Sequence, residues 1–238
     1  MTEFRIEAAW RATVAATRAG MPLFLPVAAA FVLLPELLVG LYGPPQPKTM
    51  AGMTPSVVLI QLVVPTIIGA VAQMTIAKLV IEAAAGTSQP VGNVLRLALL
   101  ALPMLVGGLL LSAVPVGAGL LLLIVPGLYM LARLTLVLPL VIEERLSPIA
   151  ALTRSWALTD GHGLRVLGFL AGWALLFALG TIIAGGLGAA LASVLTVVGA
   201  KALGSFVSLL IAGAAQSVFT VYSGVGSGVL YLQLAGRR

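Results

Sequence analysis

The chain has 238 residues, of which 61% are hydrophobic and 8% charged, and its formal net charge is +6. So few charges cannot coat a soluble domain, where about 25% is usual. The 13 Lys+Arg are scattered and form no basic patch of the kind that tracks phosphates. A soluble globular protein, a disordered chain and a nucleic-acid binder are excluded, which leaves an integral membrane protein.

The absence of cysteine removes disulfides, thiolate nucleophiles and zinc–thiolate sites. A single histidine, His162, removes the HExxH motif and His-rich metal sites, so no cofactor is expected.

From the N-terminus, Thr2 to Gly20 carries Glu3, Arg5, Glu7, Arg11 and Arg18 among Phe4, Ile6 and Trp10. It is too charged to cross and reads as an interfacial helix over about 2–19. Its two glutamates, and the long apolar run after it, speak against a cleaved leader.

A first span is expected over about 21–42, with Pro22, Pro26 and Pro35 inside it and Gly43-Pro44-Pro45-Gln46-Pro47 as the closing turn. A second runs over about 55–84 and carries Lys78 and Glu82 in its last two turns; Gly86 to Arg96 is a polar loop.

Leu97 to Ile142 is 46 residues long with one charge, Arg133, which is the length of two spans, 97–115 and 119–142. The break is expected near Pro115-Val116-Gly117-Ala118-Gly119. The alternative is a kinked or re-entrant element around 115–127, where Pro126-Gly127 is a second weak point.

Glu143-Glu144-Arg145 ends the fourth span. A surface helix follows over about 147–161, with Ser147 as its cap, Pro148 at its first position and Gly161 closing it. Ile149, Leu152 and Trp156 share one face of it, towards bilayer or bundle. The fifth span covers about 164–187 and the sixth about 203–232. The Gly/Ala/Ser-rich 185–202 between them is a loop or a short interfacial helix.

The expected fold is therefore an all-α bundle of six transmembrane helices in one domain over 1–238, with two interfacial helices. The two halves do not match in charge or glycine spacing, which argues against an inverted repeat.

Charge counting sets the topology. With the N-terminus inside, the inner segments hold Arg5, Arg11, Arg18, Arg96, Arg145, Arg154, Arg165, Arg237 and Arg238, nine in all, against two outside, Lys48 and Lys201. Both termini are thus expected in the cytoplasm.

Four ionisable residues fall inside the predicted spans: Glu36, Lys78, Glu82 and Arg133. Each costs about 2.5–3.5 kcal/mol at the bilayer centre on insertion scales and needs a partner, water or the interface. Lys78 and Glu82 are i,i+4 partners within snorkelling reach of the inner end, and Glu36 is about two turns from the outer end.

Arg133, one turn after Tyr129, is roughly 15 Å deep. It is expected to face the bundle and to touch Glu82, carbonyls freed near Pro126, or lipid phosphate drawn inward. Arg133, Glu82, Lys78 and Tyr129 make a candidate intramembrane polar cluster, and Arg154 with Trp156 makes a candidate lipid-headgroup contact.

Ser155, Asp160 and His162 lie too close along the chain to set a base between nucleophile and acid, and no GxSxG is present, so no catalytic residue is assigned. The GxxxG patterns Gly168–Gly172 and Gly224–Gly228 are expected to pack helices within the molecule.

The stretch Val125-Pro126-Gly127-Leu128-Tyr129, then Arg133, Leu138-Pro139, Glu143, and Arg154-Ser155-Trp156 with Leu158, Thr159 and Gly161 resembles the bacterial glycerophosphoryl diester phosphodiesterase membrane-domain family. Agreement is close over about 120–170. The resemblance implies a six-span inner-membrane protein. Some relatives carry a soluble phosphodiesterase domain; its catalytic residues have no counterpart in these 238 residues, so the resemblance implies no activity.

Three functions compete: a non-catalytic protein organising lipid or a protein partner at the cytoplasmic face, a transporter or channel for a small or lipidic solute, and a membrane-embedded lipid enzyme. The enzyme is the weakest, because paired carboxylates, histidines and metal-ligand clusters are missing. Membrane lipids are the expected partner and nucleic acid is not; the oligomeric state stays open.

Overall fold

The computed structural model describes residues 5–44, 49, 52–87 and 89–236. Glu3, Phe4, Lys48, Arg237 and Arg238, used in the readings above, lie outside them. The described residues form helices, and six of the helical elements are long and apolar enough to cross a membrane.

α1 runs unbroken over Ile6–Tyr42. The expected interfacial helix over 2–19 is therefore not a separate element. Nothing at Gly20 stops the helix, because Ala9, Thr13 and Thr17 at i, i+4 and i+8 already bury one face of the charged half against the bundle. Arg11 and Arg18 stay exposed. α2 covers Pro55–Ala84, with Thr54 as N-cap accepting from the Val57 amide and Pro55 at the first position.

Both helices widen into a π turn, at Ala29–Leu33 and Leu59–Val63, where the Leu34 and Val64 amides bond five residues back to Ala29 and Leu59. Each π turn is followed by a proline, Pro35 and Pro65. A proline has no amide proton to give, so the ladder behind it slips by one residue.

The middle of the chain departs from expectation. A short helix α3, Val91–Leu100, precedes α4, Leu102–Leu122, so the third span lies later than 97–115. Pro103 sits in the first turn of α4, where its missing donor costs nothing. Pro115 stays within the helix, and the chain turns instead at Leu123, whose backbone is extended (φ −161°, ψ 144°).

Of the glycines expected at the break, Gly117 faces open space and Gly119 is instead a contact with Gly127. A Cβ on Gly119 would fall 2.8 Å from the Gly127 Cα, and one on Gly127 would fall 2.4 Å from Leu120. The fourth crossing is two pieces, α5, Ile124–Arg133, and α6, Val137–Glu143.

α7 covers Pro148–Leu158. Ser147 has the extended backbone of an N-cap, but its hydroxyl makes no capping hydrogen bond. Gly161 closes the segment in the left-handed region at φ 70°. α8, Gly163–Val197, and α9, Lys201–Leu234, form a long hairpin turning at Gly199. The small-residue segment 185–202 is thus mostly helix: Gly188 packs on Ser208 and Gly204 on the Ala192 backbone.

The core lies where α2, α6 and α9 meet, with Met74, Ile76, Leu136, Leu140, Val225 and Tyr231 all buried. Gly224 and Gly228 draw α9 onto α2: a Cβ on either would come 3.0 Å from the carbonyl oxygen of Gln73 or Ala77. Gly168 and Gly172 face Ile6 and Trp10 of α1. All four glycines of the two patterns therefore serve contacts within the molecule.

Candidate functional site

The ionisable side chains of the expected cluster gather in two nodes, one at the end of α7 and one where α2 and α6 end. Arg133 closes α5 and is only 3% exposed. Its Nη1 donates to the Thr159 carbonyl at 2.6 Å, and its Nη2 donates to Asp160 Oδ1 at 3.1 Å. The Trp156 ring lies over the guanidinium, 4.4 Å from Cζ to centroid, and the Tyr129 ring stands at 5.8 Å. Ser155 answers with its hydroxyl, which donates to the Arg133 carbonyl at 2.7 Å, while the Thr159 hydroxyl donates to the Ser155 carbonyl at 2.8 Å. A planar, permanently charged fork is thus bound to the C-terminal turn of α7, where helix carbonyls lack intrahelical donors. Gly163 makes room for it, since a Cβ there would fall 2.8 Å from the Tyr129 ring and 3.2 Å from Arg133 Cδ.

This anchoring sets how α7 is turned. Ala151, Ser155 and Thr159, small residues one turn apart, face the bundle and are buried. Ile149 (67% exposed) and Trp156 (39%) face away. Leu152, expected on the same face, is half-buried and packs against the core together with Leu158, so the outer face is carried by Ile149 and Trp156.

A second node holds Lys78. Its Nζ lies 2.7 Å from Glu143 Oε2 and 3.2 Å from Glu82 Oε1. Glu82 is 5% exposed, so two carboxylates share one ammonium in a nearly dry place. Beside it, Tyr231 of α9 donates to Glu144 Oε1 at 2.9 Å, and Arg154 Nε stands 3.5 Å from Glu144 Oε2.

The expected cluster of Arg133, Glu82, Lys78 and Tyr129 is therefore split. Arg133 and Tyr129 are together, with Trp156 added; Lys78 and Glu82 form their own node with Glu143. Arg133 does face inward, but its acceptors are Thr159 and Asp160, neither Glu82 nor carbonyls at Pro126. The break at 134–136 is the reason: it ends α5 at Arg133, beside the end of α7, instead of burying Arg133 mid-helix.

Sequence reasoning missed Thr159 and Glu143 as partners, and names Asp160 only in the rejected trio with Ser155 and His162. Arg154, expected at lipid headgroups, is half-exposed and engaged with Glu144. Ser155 gives its proton to a backbone carbonyl and His162 Nδ1 lies 3.0 Å from the Asp160 carbonyl, so this trio has no nucleophile–base geometry.

Residues 97–236 match the family model described as the membrane domain of glycerophosphoryl diester phosphodiesterase, and no curated protein and no solved structure matches the chain. The match spans more than half of the chain, which belongs to this family. It takes in Tyr129, Arg133, α7 and the α8–α9 hairpin, whereas Lys78 and Glu82 precede it.

Proposed function

We propose that this family member is a non-catalytic protein of the bacterial inner membrane that organises lipid at the cytoplasmic face, with both termini on that face. One observation carries the reading. Arg133 fixes α7 to the bundle so that Ile149 and Trp156 are presented outward, with Arg154 beside them. An indole at headgroup depth next to a half-exposed guanidinium suits anionic phospholipid. The excess of arginines at the inner ends of the spans supports the orientation.

The test is lipid retention. Protein purified in mild detergent is extracted, and its phospholipids are compared with those of the source membrane. Wild type should carry an excess of anionic lipid, and Ile149→Ser/Arg154→Gln should lose that excess while keeping the same melting temperature, because Ile149 and Arg154 are exposed and leave the Arg133–Trp156 contact intact. A bound-lipid composition equal to the bulk membrane in wild type would sink the reading.

A further inference from the structure

Away from the charged nodes, a cavity of about 310 Å³ opens between α1, α2 and α9, and polar groups line it: Glu36, Gln61, Thr66, Gln73, Gln216 and Thr220. Glu36 lies six residues before the end of α1, about 9 Å along the axis. Among the described residues neither its carboxyl group nor the side-chain amides of Gln73 and Gln216 have a hydrogen-bond or ion-pair partner. Gln61 gives an amide proton to the Pro44 carbonyl, and the Thr66 and Thr220 hydroxyls donate to Leu62 and Gln216 carbonyls. These three side chains therefore keep oxygen lone pairs but have already used donors.

Both π turns contribute walls, through Phe31 and through Gln61 and Leu62. Pro35 and Pro65 also line the cavity. Each lacks an amide proton, so at least one carbonyl of the turn behind it has no helical donor. π turns recur at functional sites, and here two of them meet on one cavity.

From this convergence we propose that the Glu36 cavity is a binding site for a primary ammonium group carrying a short aliphatic chain. No Lys, Arg or His lines the cavity, so an anion has no counter-charge there. One carboxylate is too little charge for a divalent ion, which takes six to eight oxygens with several carboxylates among them. A bare monovalent ion would leave most of the space empty, since the cavity holds the volume of about ten waters. An ammonium has three protons and no acceptor, which matches one carboxylate and a surplus of amide, hydroxyl and carbonyl oxygens. Phe31, Leu62 and Leu138 supply the apolar wall for the alkyl part. The group has two sources, a free amine or the ethanolamine headgroup of a phospholipid.

The probe is n-propylammonium chloride, titrated into the full chain in phosphatidylcholine nanodiscs and followed by calorimetry and melting temperature. Sodium and potassium chloride at equal ionic strength are the controls. Saturable binding and stabilisation by propylammonium alone are expected, with affinity weakened at least about tenfold in Glu36→Gln. Gly69→Leu is the second variant. Gly69 lines the cavity and an added Cβ there meets nothing within 4 Å, so the leucine fills the space and leaves Glu36 in place. It should abolish binding and keep the fold. In nanodiscs of phosphatidylethanolamine, a competitive loss of propylammonium affinity assigns the site to the headgroup, and unchanged affinity assigns it to a free amine. The proposal is overturned if wild type shows no saturable response, or if sodium or potassium matches propylammonium. Unaltered affinity in folded Glu36→Gln or, where that variant does not fold, in folded Gly69→Leu overturns it as well.

Discussion

Arg133 and Ser155 tie the ends of two helices in both directions: the Arg133 guanidinium donates to the Thr159 carbonyl one turn beyond Ser155 at 2.6 Å, and the Ser155 hydroxyl donates to the Arg133 carbonyl at 2.7 Å. The end of α5 and the end of α7 are thereby locked as one unit. Arg133→Leu removes the charged donor to the Thr159 carbonyl, which then keeps only the His162 amide at 3.1 Å, and should cost about 2–3 kcal/mol. Arg133→Lys should recover part of this, because the flat fork and its stacking on Trp156 are lost. Asp160→Asn should cost under about 1 kcal/mol, since that carboxylate is 81% exposed and screened. Melting curves of the three variants in one detergent check the order. Equal losses for Arg133→Leu and Asp160→Asn would contradict it.

At the other node, Lys78→Met removes the cation that Glu82 and Glu143 share and should destabilise by about 3–5 kcal/mol. Glu82→Gln keeps the 2.7 Å contact to Glu143 and should be nearly neutral. Combining the two should restore part of the loss, a coupling that a double-mutant cycle measures directly. Strict additivity would show that Glu82 and Lys78 do not interact.

Small residues should divide by what faces them. Gly224→Ala places a Cβ 2.9 Å from Ile76 Cβ and should cost about 1–3 kcal/mol by prising α9 from α2. Gly185→Ala meets nothing within 4 Å and should be neutral or gain up to about 1 kcal/mol of helix propensity. Expression level and melting temperature of the pair decide it.

Because the chain has no cysteine, single cysteines at 149–158 can be spin-labelled on a clean background. Oxygen accessibility should rise at 149, 153 and 156 and fall at 151 and 155. A flat profile would mean that α7 is not docked as described.

Reporter fusions at residue 238 and within 44–54 should report opposite sides, cytoplasmic for the C-terminus. A periplasmic signal from residue 238 would overturn the orientation.

The spans were legible because hydropathy and length are properties of the chain itself, and Pro55 and Pro148 marked helix starts by a local rule. Pro115 and Gly119 misled because the same residues that break a helix in water serve close packing in a bundle. The break at Leu123 carries no signal of its own; it follows from the contact of Gly119 with Gly127 across the turn. Arg133 was legible as an inward charge, since an arginine amid apolar residues must find acceptors. Its partners were not, because the nearest acceptors in space, Thr159 and Asp160, are 26 and 27 residues away in sequence.

The α8–α9 hairpin has a consequence for the membrane around it. At about 1.5 Å per residue, the 35 residues of Gly163–Val197 extend about 52 Å, against about 30 Å of hydrocarbon. No charged residue lies between Arg165 and Lys201. Exposed Ile182, Ile183, Val194 and Val197 give no reason for its far half to stand in water. A rod of that length stays in the apolar layer by lying over well past the usual tilt of about 20°. The hairpin then projects sideways under the headgroups like an outrigger. The protein would displace far more lipid in the membrane plane than its six crossings alone account for.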